Sequence, residues 1–286
     1  MLKSEFKEHP NNRVVILGAS GFIGKAISNF CQLKQVDVTE ISRKEIDLSA
    51  PDAHSKLKKI LKRGDHVVIA AAKAPVKNIT MLIENLKLTE QLLKAFSEIP
   101  PLYVLNISSD AVYEDSSNFL NESSTRAPDS LHGAMHLARE LSLQKIQAKI
   151  GVLCPTLVYG ISDPHNGYGP NQFSRLLNKS QPITLFGKGE EKRDHIFIDD
   201  VAELAYGMLS KKICGRINAA TGNVISFLEI ANICTSYSGN NNSINFLERN
   251  GPMPHNGYRA FDISKIKLIF PEFKPTPIKV GLGTLF

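Results

Sequence analysis

The sequence predicts an α/β fold: a Rossmann-like, doubly wound parallel sheet with a smaller C-terminal substrate-binding lobe. Three observations predict it. Short apolar runs alternate with amphipathic segments through about the first 160 residues, the first run leads directly into Gly18-Ala19-Ser20-Gly21-Phe22-Ile23-Gly24, and after Pro155 the texture turns rich in Gly, Pro and Asn. Strands that alternate with helices pair in parallel through right-handed crossovers, and the helices cover both faces of the sheet.

Residues 13–17 (RVVIL) read as a short buried strand, and a helix runs from the glycine turn to about residue 33. Residues 36–41 form a second strand, 53–62 a helix, and 66–72 (HVVIAAA) a third strand. Leu82, Leu86, Leu92, Leu93 and Phe96 recur at helical spacing within 78–98. A strand at 102–107, a helix at 130–147 and a strand at 149–153 complete the alternation. Residues 160–192 read as a ligand-binding loop region. Helices are expected at 199–210, 226–238 and 262–269, with a flexible turn at 239–243 (GNNNS) and an irregular, Pro-punctuated tail. The expected dinucleotide-binding domain spans 12–160, rejoined by 192–211, and the expected lobe comprises 161–191 and 212–286. The string PHNGY occurs at 164–168 and again at 254–258, too little to make a repeat architecture.

A chain of 286 residues is long for one core and short for two independent domains. Its net charge of +6 is mild and dispersed, and no basic stripe is interleaved with aromatics, so nucleic acid is not an expected partner. Cys31, Cys154, Cys214 and Cys234 have no CxxC spacing, which argues against zinc and a disulfide framework and for a reducing compartment. The first twelve residues are polar, with no signal-peptide run, and no apolar stretch of about 18 residues exists. A cytoplasmic chain with no integral membrane segment is therefore expected.

A glycine-rich turn between a strand and a helix suits a dinucleotide. Gly18 allows the tight turn, Gly21 lets a pyrophosphate approach the backbone, and Gly24 lets the helix pack closely on the sheet. Ser20, Phe22 and Ile23 complete the loop and the helix N-terminus, whose free N–H groups and dipole favour phosphate. An acidic residue after the second strand would select NAD; Ser42 and Arg43 stand there instead and suit a 2′-phosphate. NADP is favoured and NAD remains possible, because Arg43 stacked on adenine would serve either. Asp47 and Leu48 fall where a loop can touch the adenine.

GASGFIG, Ala70-Ala71-Ala72, Asn85 in ENLKLTEQLL, Ser108-Ser109-Asp110-Ala111-Val112-Tyr113, Pro155 to Gly160 (PTLVYG), the run from Gly187 to Val201, and Ala219-Ala220-Thr221-Gly222 follow one another at characteristic spacing. In order and spacing, over nearly the whole chain, they resemble the extended short-chain dehydrogenase/reductases, the NAD-dependent epimerase/dehydratase family acting on nucleotide sugars. The resemblance implies a cofactor site that includes Ala70, Ala71, Ala72 and Asn85, a catalytic hydroxyl at Ser109 with Asp110 beside it, and a nucleotide-diphosphate sugar as partner. Arg193 and Arg259 then face the diphosphate, and Asn171 and Phe173 line the sugar or base pocket. Tyr113 and Tyr159 are expected to be structural, as is His195. The helices at 78–98 and 130–147 resemble those of the family's dimer bundle, which implies a homodimer.

The chain departs from the family at its chemistry. Cys154 replaces the usual Arg before Pro155, and in the stretch matching the YxxxK helix, His132 stands for Tyr and His136 for Lys. Three readings stand open. His132 exchanges the proton while His136 bonds the cofactor ribose, both on one helix face at i and i+4; or the site binds nucleotide without turnover; or the pair ligates a metal, although HGAMH lacks the Glu of a zinc protease helix. The expected function is epimerisation or 4-keto reduction of a nucleotide-linked sugar for a surface polysaccharide. The alternative is an inactive NAD(P)-binding sensor or regulator.

Overall fold

The computed structural model describes residues 13–239 and 244–286. The polar first twelve residues, and the expected turn at 239–243 apart from Gly239, lie outside them. In chain order the elements are β1 (Val14–Leu17), α1 (Phe22–Leu33), β2 (Val38–Ile41), α2 (Ala53–Ile60), β3 (His66–Ile69), α3 (Ile79–Glu98), β4 (Tyr103–Ile107), a 3-10 turn (Asp110–Val112), α4 (Leu131–Leu143), β5 (Lys149–Pro155), β6 (Leu157–Tyr159), α5 (Pro170–Asn178), β7 (Ile183–Phe186), β8 (Lys192–Phe197), α6 (Ile198–Lys211), β9 (Gly215–Ala219), β10 (Val224–Ser226), α7 (Phe227–Ser238), β11 (Ile244–Leu247), β12 (Tyr258–Arg259), α8 (Ser264–Ile269) and α9 (Ile278–Gly283).

They form two units. The first runs to Glu114 and adds Ser124–Pro155 and Val201–Ile217. Its sheet has the order β2-β1-β3-β4-β5-β9, and the first five strands pair in parallel. β1 and β3 are buried on both faces, which is why VVIL and HVVI show no polar alternation. Val15, Leu17, Val67, Ile69 and Val104 pack with Leu57, Leu92, Phe96 and Leu143 from three helices. The register aligns Leu17 with Ile41 and Ile69, so Gly18, Ser42 and Ala70 leave the sheet side by side. The strand order reverses between β1 and β3, and a doubly wound sheet binds its ligand outside the carboxyl ends of the strands flanking that reversal.

The second unit comprises Asp115–Ser123, Thr156–Asp200 and Asn218–Phe286. β8 sits here because it pairs with β6, β10 and β12, so 192–200 belongs with the lobe. Two expectations are corrected. The stretch 160–192 is not one loop, since it contains α5 and β7, with Phe173, Leu177, Ile183 and Leu185 in the core. The tail is not irregular to its end: Pro277 caps α9, and Leu282 and Leu285 pack into the same core. Proline there starts a helix, as it does elsewhere at first helical positions. Among the described residues no helix is long and apolar enough to cross a membrane.

Candidate active site

The first unit has a cleft of about 250 Å³ at the strand-order reversal. Gly18, Ser20, Gly21, Ser42, Arg43, Asp47, Leu48, Ala70, Ala71, Ala72 and Asn85 all line it. Gly18 has a φ of 88°, and a Cβ on it would lie 2.7 Å from the Ala71 backbone, so only glycine brings these two loops together. α1 has no side-chain cap and no acidic residue in its first turn. The N–H groups of Phe22, Ile23 and Gly24 therefore lack intrahelical acceptors and are free for an anion. This cradle fits a dinucleotide's pyrophosphate.

Asn85 contributes indirectly. Its amide accepts the Lys73 N–H at 3.0 Å and donates to the Lys73 carbonyl at 3.1 Å, holding the loop after β3 in place. At the β2 end, Arg43 is largely exposed and meets Asp47 only at 3.5 Å. Glu45 accepts both the N–H and the hydroxyl of Ser42, which holds its carboxyl below the usual range. Glu45, Lys73 and its ion-pair partner Glu84 carried no signal in the sequence; Glu45 acts within its own turn, whereas the Lys73–Glu84 pair depends on the loop after β3 meeting α3.

Ser109 caps the 110–112 turn, accepting the Ala111 N–H at 3.2 Å and donating to Asp110 at 3.4 Å. The long second bond leaves the hydroxyl able to turn. α4 presses on this turn: a Cβ on Gly133 would stand 2.0 Å from the Ala111 carbonyl oxygen. His132 precedes Gly133 on α4, and neither it nor Ser109 or Asp110 is among the side chains lining the cleft. The rings of His132 and His136 meet edge to face, with centroids 4.7 Å apart. His136 is buried and its Nδ1 has no partner. Burial, then Arg139 and His132, hold it well below the usual imidazole range, so this ring stays neutral. His136 is not among the side chains lining the cleft. Glu140 on the same helix accepts from Ser108 and from Arg216 on β9, and Arg216 also reaches Cys154 Sγ at 2.8 Å. A guanidinium from the neighbouring strand thus reaches position 154. Among the described residues no group of three or more His, Cys, Asp or Glu could hold a metal ion.

The second unit has its own cleft, of about 550 Å³. Tyr168, Phe186 and Phe227 give it an aromatic wall, with Tyr168 and Phe227 ring centroids 4.7 Å apart. Arg193, 4% exposed, bonds Glu191 and the Pro254 carbonyl, and Arg249 meets the same Glu191 at 3.2 Å. Arg249, one residue beyond Glu248 in LERNG, had no motif to mark it. Two of the expected pocket residues and one expected arginine are placed elsewhere. Phe173 is 0% exposed in the core; Asn171 is buried between the Gly160 N–H and Asp163; and Arg259, 3% exposed, pairs with Asp115 at 2.7 Å. His195, Tyr113 and Tyr159 are all packed inside.

The reversed strand order and the glycine cradle define a Rossmann-type dinucleotide-binding protein. The chain belongs to the NAD dependent epimerase/dehydratase family, whose model matches residues 14–220. It is 25% identical over 208 residues to an uncharacterised UDP-glucose epimerase of Bacillus subtilis (strain 168), covering 69% of this chain and 64% of that one. A dTDP-glucose 4,6-dehydratase of Neisseria gonorrhoeae is 28% identical over 122 residues, covering 39% of this chain and 34% of its own length. The chain thus spans less than two thirds of these curated relatives. Among solved structures, a UDP-N-acetylglucosamine 4-epimerase from Methanobrevibacter ruminantium superposes with a TM-score of 0.82 at 23% identity, covering 97% of both chains. The UDP-glucose 4-epimerase of Thermus thermophilus, in complex with NAD, gives 0.81 at 21% identity, covering 96% of this chain and 98% of that one. A GDP-L-fucose synthetase from Naegleria fowleri, bound to NADP, gives 0.81 at 15% identity, covering 100% of this chain and 96% of that one. Likeness at these identities speaks for the fold alone.

Proposed function

We propose that the protein is an NAD(P)-dependent nucleotide-sugar epimerase or 4-keto-sugar reductase of the cytoplasm, serving surface polysaccharide assembly. The observation that carries this reading is the close seating of α4, which bears His132 and His136, on the turn that Ser109 caps, in the unit that holds the dinucleotide cradle. When bound, the nicotinamide supplies the hydride acceptor or donor. Ser109 hydrogen-bonds the reacting sugar oxygen, and His132 takes or returns its proton. His136 stays neutral behind His132 and buttresses its ring. Arg193 and Arg249 bind the diphosphate, and the aromatic wall takes the base.

NADP is the proposed cofactor, because Ser42 and Arg43 stand at the end of β2 and the exposed pair with Asp47 competes only weakly for Arg43. Glu45 opposes a 2′-phosphate, but it is solvent-exposed and can turn outward. A homodimer through α3 and α4 is part of the proposal: Ile79, Ile83 and Leu86 form an exposed stripe at i, i+4 and i+7, with Leu131 and Leu141 exposed on α4.

A second reading, a cofactor-binding protein without turnover, is favoured by the burial of His136, whose neutral ring cannot replace a lysine's charge. One experiment separates the two. The purified protein is incubated with NAD or NADP and a panel of UDP-, dTDP- and GDP-sugars, and products are read by mass spectrometry. An epimerase gives a new sugar nucleotide without net cofactor consumption, and a reductase consumes NADPH. Cofactor binding with no product from any sugar would overturn the enzyme reading in favour of the second.

A further inference from the structure

The second PHNGY string, at 254–258, has no role in the function above, yet it brings an imidazole to the cleft of the second unit. The backbone is left-handed at His255 and Asn256, with φ of 53° and 52°, and again at Gly257, with φ of 79°. Two successive non-glycine residues in that region are held against a steric cost. Asp115 holds them: its Oδ1 lies 2.5 Å from His255 Nδ1 and accepts the Arg259 Nη1–H at 2.7 Å. Arg259 is 3% exposed, so the carboxylate is anchored from inside the unit. One residue before His255, the Pro254 carbonyl accepts from Arg193 at 2.5 Å. His255 therefore lines the cleft next to the guanidinium that would hold a phosphate.

Nδ1 faces the Asp115 carboxylate at 2.5 Å and, farther off at 3.2 Å, Arg259 Nη1; the nearer carboxylate favours the proton on Nδ1, so that the neutral ring has its lone pair on Nε2. Ionised phosphate oxygens only accept and would be repelled by it; a hydroxyl can donate to it. We infer that His255 is a specificity-determining residue of this cleft, its Nε2 accepting a hydrogen bond from a sugar hydroxyl that flanks the diphosphate, with Asp115 as its positioning residue. The inference rests on the reading of the cleft as a nucleotide-sugar site. A diphosphate has a ribose on one side and a hexose on the other, and both present hydroxyl donors. Of the cleft's other acceptors, Glu191 is already engaged by Arg193 and Arg249, which leaves Tyr168, Glu248 and Asn250 beside His255.

Calorimetric titration of the full chain with UDP and with UDP-glucose tests this, comparing wild type with His255→Ala. The variant is expected to bind about tenfold more weakly, the loss of one satisfied hydrogen bond. Weakening with both ligands points to the ribose hydroxyl, and weakening with UDP-glucose alone to the hexose; either supports the inference. Wild-type affinity for both ligands in the variant would overturn it while leaving the cleft reading intact. Failure of the wild type to bind either ligand would overturn the cleft reading and this inference with it. Long-range 15N spectra of labelled histidine provide a readout that a merely structural residue would not move. The His255 signals, assigned by their absence in His255→Ala, are expected in the Nδ1–H form, with Nε2 shifting when UDP-glucose is added. In Asp115→Asn the single form is expected to be lost. A ring carrying its proton on Nε2, or an Nε2 signal indifferent to UDP-glucose, would overturn the assignment.

Discussion

At the scale of single residues, the proposed chemistry concentrates on His132. Replacing it by Phe keeps the edge-to-face contact with His136 while removing the titrating nitrogens. His132→Phe is expected to lower turnover by roughly 10²- to 10⁴-fold, the usual contribution of a positioned acid or base, with cofactor affinity unchanged in a fluorescence titration with NADPH. Full activity in that variant would remove His132 from the reaction. Arg43 offers a second check. Its exposed pair with Asp47 is weak, so its charge is largely uncommitted. Arg43→Ala is expected to weaken NADP about tenfold more than NAD; equal losses measured for both cofactors would reverse the preference. His132 and Arg43 were visible as residue types at motif positions. Arg249, Glu191 and His255 were not, because their places come from segments distant in sequence: Glu191, beside Arg193, also takes Arg249 from beyond β11, and His255 meets Asp115.

At the scale of elements, the contact of α4 with the 110–112 turn decides whether Ser109 and His132 can act together. An alanine at 133 would gain about 1 kcal/mol in helix propensity, but its Cβ would sit 2.0 Å from a backbone carbonyl that cannot swing aside. The clash wins. Gly133→Ala is expected to cost about 1–3 kcal/mol net in urea denaturation and to lose more activity than that stability loss explains; a variant as stable and active as wild type would show the contact to be loose. The outer face of α3 carries the dimer proposal. Light scattering is expected to report twice 31.6 kDa for the wild type and 31.6 kDa for Ile83→Lys. A monomeric wild type would exclude that interface. Strands and helices of the first unit were legible because period and length agree with burial there. α9 was not, because a helix of six residues after several prolines carries too little periodicity to stand out.

At the scale of the whole molecule, three buried histidines are expected to contribute to the response to acid. Burial lowers His66 and His195 to about 4 and His136 well below its ordinary value. For a group whose folded pKa is depressed, the unfolded chain binds more protons, so stability rises with pH across the window between the two values. The stability is fully present above about pH 6.5 and is lost as pH falls toward 4. Near pH 5 His66 and His195 are each expected to cost on the order of 2 kcal/mol, and His136 adds in the same direction. Tm measured from about pH 7.5 to 5 should fall steeply, and His195→Gln should flatten part of that slope. A Tm that is level over the range would mean that these rings gain water or partners on protonation.

The amino-acid sequence by itself determined the fold class, the dinucleotide cradle and the unusual histidine pair, because each rests on local chemistry: a strand feeding a glycine turn, a turn feeding a helix, two residues one helical turn apart. Only the tertiary structure decided that Asn85 braces a loop, that Phe173 belongs to the core while Tyr168 faces the cleft, that Arg216 reaches Cys154, and that Asp115 contacts His255. These depend on which surfaces meet, and burial and long-range hydrogen bonding are properties of the packed chain that no single segment carries.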